Sequence, residues 1–584
     1  MILQALVDYY EELASQGKIA RPGWSKAKVS WALEIDEEGH LLDILPLRSP
    51  SPDGKKMLPR EMELPAPVKR SSGVLPNFLW DNGSYILGQD NKGKPKRTAE
   101  CFDAARGLHI RLLGMADSAA ARAVIAFFTN WNPQEADSVP AFVKRKEELL
   151  SGDNLCFMYN GGFAAEDPEI QSAWQMAYEA DSEGDTEVCL ITGRESVPEL
   201  VHPAIKNVRD AQSSGAALVS FNAPAFCSFG REQNANAPVS KYAAFAYTSA
   251  LNHLLSEREH VKVIGNTTVV YWAKSAERQY QDIFAALFDG DSSELSNTDL
   301  NALMTSVAAG KPYNYNGLPL KPENDFFILG ISPNAARLSV RFFYRRSFGE
   351  IVQNLKRHYE NMEIVSDGHS KFDTIPLWAM LRETVNQKSS DKSPLPQLAG
   401  DVMKSMLSGC RYPETLMNQT MLRIRAEHEI NRGKAGIIKA YLTRNTENLP
   451  ERESIMEVAQ VSLNTDSSYS PYVLGRLFAV LEGTQQAANP GINATIKDRF
   501  FNSACATPAA VFPILLKLSN SHLKKLDTGK AVWWSKQIGD LIERLDTEFP
   551  AHQSLQEQGA FILGYYHQTQ KRFEKKTNIN KEEE

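Results

Sequence analysis

The sequence predicts an α+β fold, with a mixed α/β N-terminal region followed by an all-α C-terminal helical bundle. Strand-like alternation is confined to the first 350 residues, and amphipathic helical periodicity runs from Glu350 to Gln570. The 584-residue length exceeds what one hydrophobic core serves, so two or more domains are expected, divided near residue 350 into 1–350 and 351–584. With 42% hydrophobic and 23% charged residues, the chain has the composition of a globular protein rather than a disordered one. It contains no run of eighteen apolar residues, so neither a membrane span nor a membrane partner is expected. The opening MILQALVDYYEELASQG reads as an amphipathic helix without the basic start of a signal peptide, which makes the cytoplasm the expected location.

VSWALEID (29–36) and LLDILPL (41–47) alternate as a hairpin, with Glu37-Glu38-Gly39-His40 as its turn. The proline-rich stretch from Ser49 to Pro67 reads as loop. CFDAARGLHIRLLG and SAAARAVIAFFTNW have helical spacing. NLCFMYN, EVCLITG, AALVSFN, VKVIGNTTVVYWA and DFFILGISPNAARLSVRFFYRR read as strands; in the last, Leu338, Val340, Phe342 and Tyr344 alternate with Ser339, Arg341 and Phe343. In the helical half, Val473, Leu477, Val480 and Leu481 share one face, Asn489-Pro490-Gly491 is a turn, and Pro508 suits the first turn of a helix. The charged tail KKTNINKEEE is expected to fray.

Catalytic motifs are missing. The six cysteines are scattered, with no C-x-x-C pair, which argues against a zinc site or a disulfide framework. Gly88 to Lys94 is one residue short of a phosphate-binding P-loop, because Pro95 stands where a Ser or Thr must hold magnesium; a basic turn near phosphates is the better reading. Glu427-His428-Glu429 lacks the second histidine of a zincin. No cofactor or metal is called for. A hydrolase site assembled from scattered acids such as Asp81, Glu100 and Asp103 is the alternative from another class, and a scaffold without nucleic-acid contact is a third.

The net charge of −7 is concentrated in residues 131–190, so the sum does not exclude phosphate contacts, which depend on local patches. Four basic clusters stand elsewhere: Lys92/Lys94/Lys96/Arg97, Arg337/Arg341/Arg345/Arg346, Arg423/Arg425/Arg432/Lys434/Lys439 and Lys517/Lys524/Lys525/Lys530/Lys536. Two polar loops carry the types of residue that meet bases. Arg70 to Tyr85 sets Ser72, Gly73, Asn77, Asn82 and Gly83 around Phe78-Leu79-Trp80; asparagine offers both donor and acceptor, and glycine lets backbone come close. The same residues also form ordinary turns. Phe229 to Lys241 brings Arg231, Gln233, Asn234, Asn236 and Lys241 to the start of a helix with Ser240 as N-cap; these side chains either touch DNA or a neighbouring subunit, or serve to cap that helix.

Several blocks carry a family resemblance: RSSGVLPNFLWDNGSYILG (70–88), SFNAPAFCSFGREQNANAPVSKYAAFAYTSALNHLL (220–255), GNTTVVYWA (265–273), ILGISPNAARLSVRFF (328–343), the run Val461 to Leu526, and FILGYYHQ (561–568). In this order they resemble the large subunit of the type I-C CRISPR surveillance complex (Cascade). The resemblance implies a non-catalytic, RNA-guided DNA-binding subunit that reads the protospacer-adjacent motif, helps unwind target DNA, stabilises the displaced strand and recruits a helicase-nuclease. Guide RNA pairing supplies sequence recognition in effectors of this kind. Implied partners are the guide RNA, double-stranded target DNA, the backbone and guide 5′-end subunits, and a small subunit from the same gene. By this resemblance Asn77, Asn82 and Gly83 read the motif while Lys69 and Arg70 hold phosphate; Lys94, Lys96, Arg97, Arg337, Arg341, Lys524 and Lys525 are further DNA contacts. An internal start is expected at Met456, giving a product over 456–584, with Met403, Met406, Met417 and Met421 as competing starts.

Overall fold

The computed structural model describes residues 1–572 except 52–55, 69, 71–72, 181–183, 222, 290–296, 367–373, 391 and 546–547. Lys69, Ser72 and the charged tail therefore lie outside the described residues. The chain packs as two units, Met1–Ala204 with Val219–His253, and Ile205–Leu218 with Leu254–Glu584.

In the first unit the expected hairpin forms from Trp31–Ile35 and Leu41–Pro46. Trp31–Ile35 also pairs in parallel with Asn154–Tyr159, in the register Trp31 to Leu155, and Trp80–Asn82 adds on the far side of that strand. A second sheet corrects the proline-rich loop. Met57–Pro65 is a strand lying between Trp24–Val29 and Arg48–Pro50. Prolines mask its alternation, yet Met62 and Leu64 turn inward between Glu61 and Glu63, and Pro65 is its last residue. Helices Pro95–Leu113 and Ala119–Asn130 close the core, Ser118 capping the second through Ala121 N–H. Between them and the sheet sits an aromatic cluster of Phe78, Phe102, Phe127, Phe128 and Phe157 around His109. EVCLITG contributes only a two-residue strand, Glu187–Val188.

The second unit contains a four-stranded antiparallel sheet in the order Lys262–Ile264, Thr267–Ala273, Asp325–Asn334 and Arg337–Ser347. A bulge places Arg341 outside the ladder, because Gly330 pairs with Phe342 and Ile331 with Val340. The alternation therefore breaks at this point: Phe342 and Tyr344 pack on the core, whereas Val340 is exposed. AALVSFN forms no strand and makes only isolated bridges, Ala216 to Ile205 and Ala217 to Arg337.

After Ser347 every regular element among the described residues is a helix. Ser347 opens Phe348–Met362 with a capping box to Glu350. The four-stranded sheet and these helices share one continuous core, so the change of secondary structure near residue 350 falls inside a packing unit. Helix Ser470–Ala488 is buried on all sides, not along one face, as befits the centre of a bundle. It crosses Leu555–Lys571 at two glycines: a Cβ on Gly475 would stand 1.9 Å from Phe561 O, and one on Gly564 2.1 Å from Tyr472 O. Pro508 opens Pro508–Leu523 as expected. No helix among the described residues is long and apolar enough to cross a membrane.

Candidate nucleic-acid interface

The first polar loop is organised around a buried carboxylate. Asp81 is 1% exposed and accepts the Arg70 guanidinium through both oxygens, together with the N–H groups of Asn77 (2.9 Å) and Asn82 (2.8 Å). Arg70 also donates to Leu75 O at 2.6 Å and lies 4.1 Å over the Tyr85 ring. Asn77 is buried, and its Oδ1 accepts the Val68 N–H; Asn82 caps the one-turn helix Gly83–Ile86 through Ser84 N–H. Gly83 is buried against Gln89 O, where a Cβ would stand at 3.0 Å.

Leu79 has a left-handed backbone, φ 66°, and its N–H donates to His109 Nε2 at 2.8 Å. His109 Nδ1 in turn donates to Ala105 O, which fixes the neutral tautomer, and burial lowers its pKa to about 4. Arg70, Asn77, Asn82 and Gly83 thus have partners or close neighbours within the unit that hold the loop's shape. Asn77 is buried with its Oδ1 taken by Val68 N–H, and Arg70 is committed to Asp81. Among the described residues of the loop, the crest Gly73 to Pro76, with Leu75 exposed, faces outward. Sequence reasoning names Asp81 only as a candidate acid and misses His109 altogether, since their partners are defined only by tertiary packing.

Seven residues after Tyr85 the chain turns outward. Lys92, Lys94, Lys96 and Arg97 are all exposed, and none makes an ion pair among the described residues. Their turn is pinned from beneath by Asp90, which accepts Ser84 Oγ (2.9 Å), Thr98 Oγ1 (2.7 Å) and Lys92 N–H (3.0 Å). Burial pushes the Asp90 carboxyl up, but those hydrogen bonds and the Lys92 charge outweigh it and hold the pKa below the usual value. The turn borders a cleft of about 660 Å³ between Gly88–Arg106 and Thr129–Gln134.

The second polar loop is largely self-satisfied as well. Arg231 pairs with Glu187 at 2.6 Å and donates to Ala235 O. Asn236 accepts Ser228 N–H and donates to Arg231 O and Gln233 O. Asn234 is buried, and Lys241 donates to Tyr178 O at 2.7 Å, 4.0 Å over that ring. Ser240 caps the helix through Ala243 N–H, as expected, while its own N–H donates to Cys189 Sγ at 3.2 Å. Burial raises the Cys189 thiol, but donors from Ser240 and Thr192 bring it down to about 7. Gln233 and Phe229 remain outward, Phe229 at 98% exposure.

Of the other basic clusters, Arg423–Lys439 turns inward: Lys434 is buried against Glu427 at 2.6 Å, and Lys439 donates to Glu360 O and Asn361 O. Glu427 also receives Arg423 at 3.6 Å, so the Glu-His-Glu segment is structural. Arg345 pairs with Asp325, and Arg341 donates to Ser332 Oγ at 2.6 Å; Arg337 is half-buried. Lys524 and Lys525 are exposed, Lys525 donating to Asn489 Oδ1.

Asp81 is sealed, Asp103 pairs with Arg106 at 2.9 Å, and the one group of metal-ligand residues found close together among the described residues is the exposed turn Asp36, Glu38 and His40.

Among the described residues of the N-terminal unit, the Lys92–Arg97 turn beside its cleft gathers four exposed cations without an ion pair. A search of curated proteins returns no match. The family model described as CRISPR-associated protein (Cas_Csd1) matches residues 6–573, nearly the whole chain, which fits the large subunit of a Cascade complex; the chain belongs to that CRISPR-associated family.

Proposed function

We propose that this chain is the non-catalytic large subunit of a type I-C surveillance complex, and that its N-terminal unit engages the duplex carrying the protospacer-adjacent motif. The family match over residues 6–573 carries this reading. The exposed Lys92–Arg97 turn supports it, because phosphate contacts need cations that have no protein partner. The crest Gly73–Pro76 and Gln233 are the outward parts of the two polar loops, and they approach the duplex while Asn77, Asn82 and Arg70 hold the first loop's shape. The subunit works in the cytoplasm with guide RNA, the backbone and guide 5′-end subunits and a small subunit, helps open the target, stabilises the displaced strand, and then receives the helicase-nuclease.

The small subunit is the product of an internal start at Met456. Such a product lacks the residues that cover one side of Leu555–Lys571: Met417, Ile438 and Leu442 against Gly559, and Val365, whose carbonyl accepts Tyr566 Oη–H. It would expose that apolar face until a partner covers it.

The test is to purify the tagged chain from its own host and sequence the associated RNA. Repeat-flanked guides together with a short C-terminal fragment are expected; a lone chain from cells that transcribe a CRISPR array overturns the reading. Within the purified complex, replacing Lys94, Lys96 and Arg97 by Ala should lower the salt-dependence slope of target binding by about 1 for each phosphate that is no longer neutralised. An unchanged slope removes the turn from the interface.

A further inference from the structure

Resting on the nucleic-acid reading above, we propose that the cleft beside the Lys92–Arg97 turn binds one unpaired nucleotide, its phosphate at Lys94 and its base in the cavity. The volume, about 660 Å³, lies within the range of small-ligand sites. The cleft is built rather than incidental. Its floor is pinned by two long-range bonds, Trp131 Nε1–H to Leu87 O at 2.9 Å and Gln89 Nε2–H to Pro133 O at 2.5 Å. Gly88 has a φ of +64°, and a Cβ there would lie 2.6 Å from Pro133 Cγ, so the two walls meet where only glycine fits.

The chemistry of the lining favours a nucleobase. Phe102, Trp131 and Pro133 offer apolar surface for a planar ring. Four amide side chains surround them, and their internal bonds leave a mixed set of donors and acceptors. Gln89 and Asn130 each give one N–H, to Pro133 O and Glu38 O, and keep the second with their oxygens; Asn132 Oδ1 accepts Gln134 N–H, leaving its Nδ2. Gln134 is exposed, with no side-chain hydrogen bond among the described residues. Base edges present both donors and acceptors, which amides match and isolated charges do not. The acids are already engaged: Asp90 accepts three donors and Asp103 is paired with Arg106, while Lys94 stands exposed at the mouth. A base in a duplex cannot enter such a cavity without unstacking, so the occupant is a nucleotide from an opened or single-stranded segment.

The nucleotide comes from the opened target DNA or from the guide RNA, and photocrosslinking in the whole complex separates these sources. One set of complexes carries 5-iododeoxyuridine scanned along each target strand near the adjacent motif, and the other carries 4-thiouridine scanned along the guide. A crosslink from a single position to peptides 94–106 or 127–142 is expected, and the arm that gives it names the source. Ala99 is exposed on helix Pro95–Leu113 and lines the cleft, so Ala99→Trp fills the cavity without touching the core. It should cut the crosslink at least tenfold while binding to a duplex that cannot open is unchanged. Gln134→Ala should reduce it about fivefold, the worth of one ordinary hydrogen bond. If target DNA is bound and opened but no position crosslinks to these peptides, the cleft is not a nucleotide site and the nucleic-acid reading stands. If the complex binds no target at all, both fall together.

Discussion

Two neighbouring segments of the N-terminal unit have similar polarity and opposite orientation. From Arg70 to Tyr85, arginine, asparagines and an aspartate are bonded to nearby backbone or to one another. From Lys92 to Arg97, four cations stand in water with no ion-pair partner among the described residues. Composition alone ranks the first segment as the better reader of bases. A polar side chain is available to a ligand, however, only after the backbone around it has been satisfied. A loop with a left-handed Leu79 needs more of that satisfaction than a lysine-rich turn does.

The greatest loss should come from removing the carboxylate on which the inward segment depends. Asp81→Ala leaves two backbone N–H groups without an acceptor and the half-buried Arg70 guanidinium without its counter-charge, holding only Leu75 O. Breaking a buried ion pair by deleting one partner costs about 3 to 5 kcal/mol. Urea denaturation should show that loss, whereas replacing Lys94 or Lys96 should stay within about 0.5 kcal/mol, as is usual at the surface. Equal effects at both places would erase the distinction between the segments.

His109 probes the same contrast through pH. An unfolded imidazole titrates near 6.5, and the buried one near 4. Between those values the unfolded chain takes up a proton that the folded chain refuses. The contribution is therefore complete above pH 6.5, falls as the pH drops toward 4, and amounts to about 3 kcal/mol over that window. His202, also about 4 and in the same unit, acts in the same direction. His109→Gln can still accept the Leu79 N–H but does not titrate, so the loss of stability between pH 7 and pH 5 should shrink by about 2 kcal/mol. If wild type and variant lose the same amount, His109 is not the acid-sensitive fastening of the loop.

How much of this is legible in sequence follows from the range of the interactions. The hairpin at Trp31–Pro46, the strand pair Asp325–Asn334 and Arg337–Ser347, the Ser240 cap and the helix start at Pro508 are local, so periodicity and end residues disclose them. Met57–Pro65 stays hidden because prolines at its ends outweigh the inward pair Met62 and Leu64. Lys434 and Lys439 look like surface charge, since their partners Glu427 and the carbonyls of Glu360 and Asn361 meet them only in the folded bundle. His109 lies thirty residues from Leu79, and the donors to Cys189 include Ser240, fifty-one residues away; neither separation leaves a pattern in one sequence. The cleft at Gly88 reads only as a failed P-loop, because what builds it is Trp131–Gln134 arriving from beyond another helix.

The mildest substitution is the most discriminating. Asn77→Ala removes the acceptor for Val68 N–H from a residue that is 5% exposed. A single neutral hydrogen bond is worth about 1 kcal/mol, somewhat more when the orphaned donor stays buried. If Asn77 is structural, the variant should lose about that much stability, and its ranking of target duplexes with different adjacent motifs should match the wild type once saturating protein compensates for any unfolded fraction. If instead Asn77 reads a base, stability should hold while the ranking changes, because the wrong base pair costs about 1 to 3 kcal/mol at a directly read position. The two measurements move in opposite directions under the two accounts, so one variant decides whether the inward segment shapes the interface or is part of it.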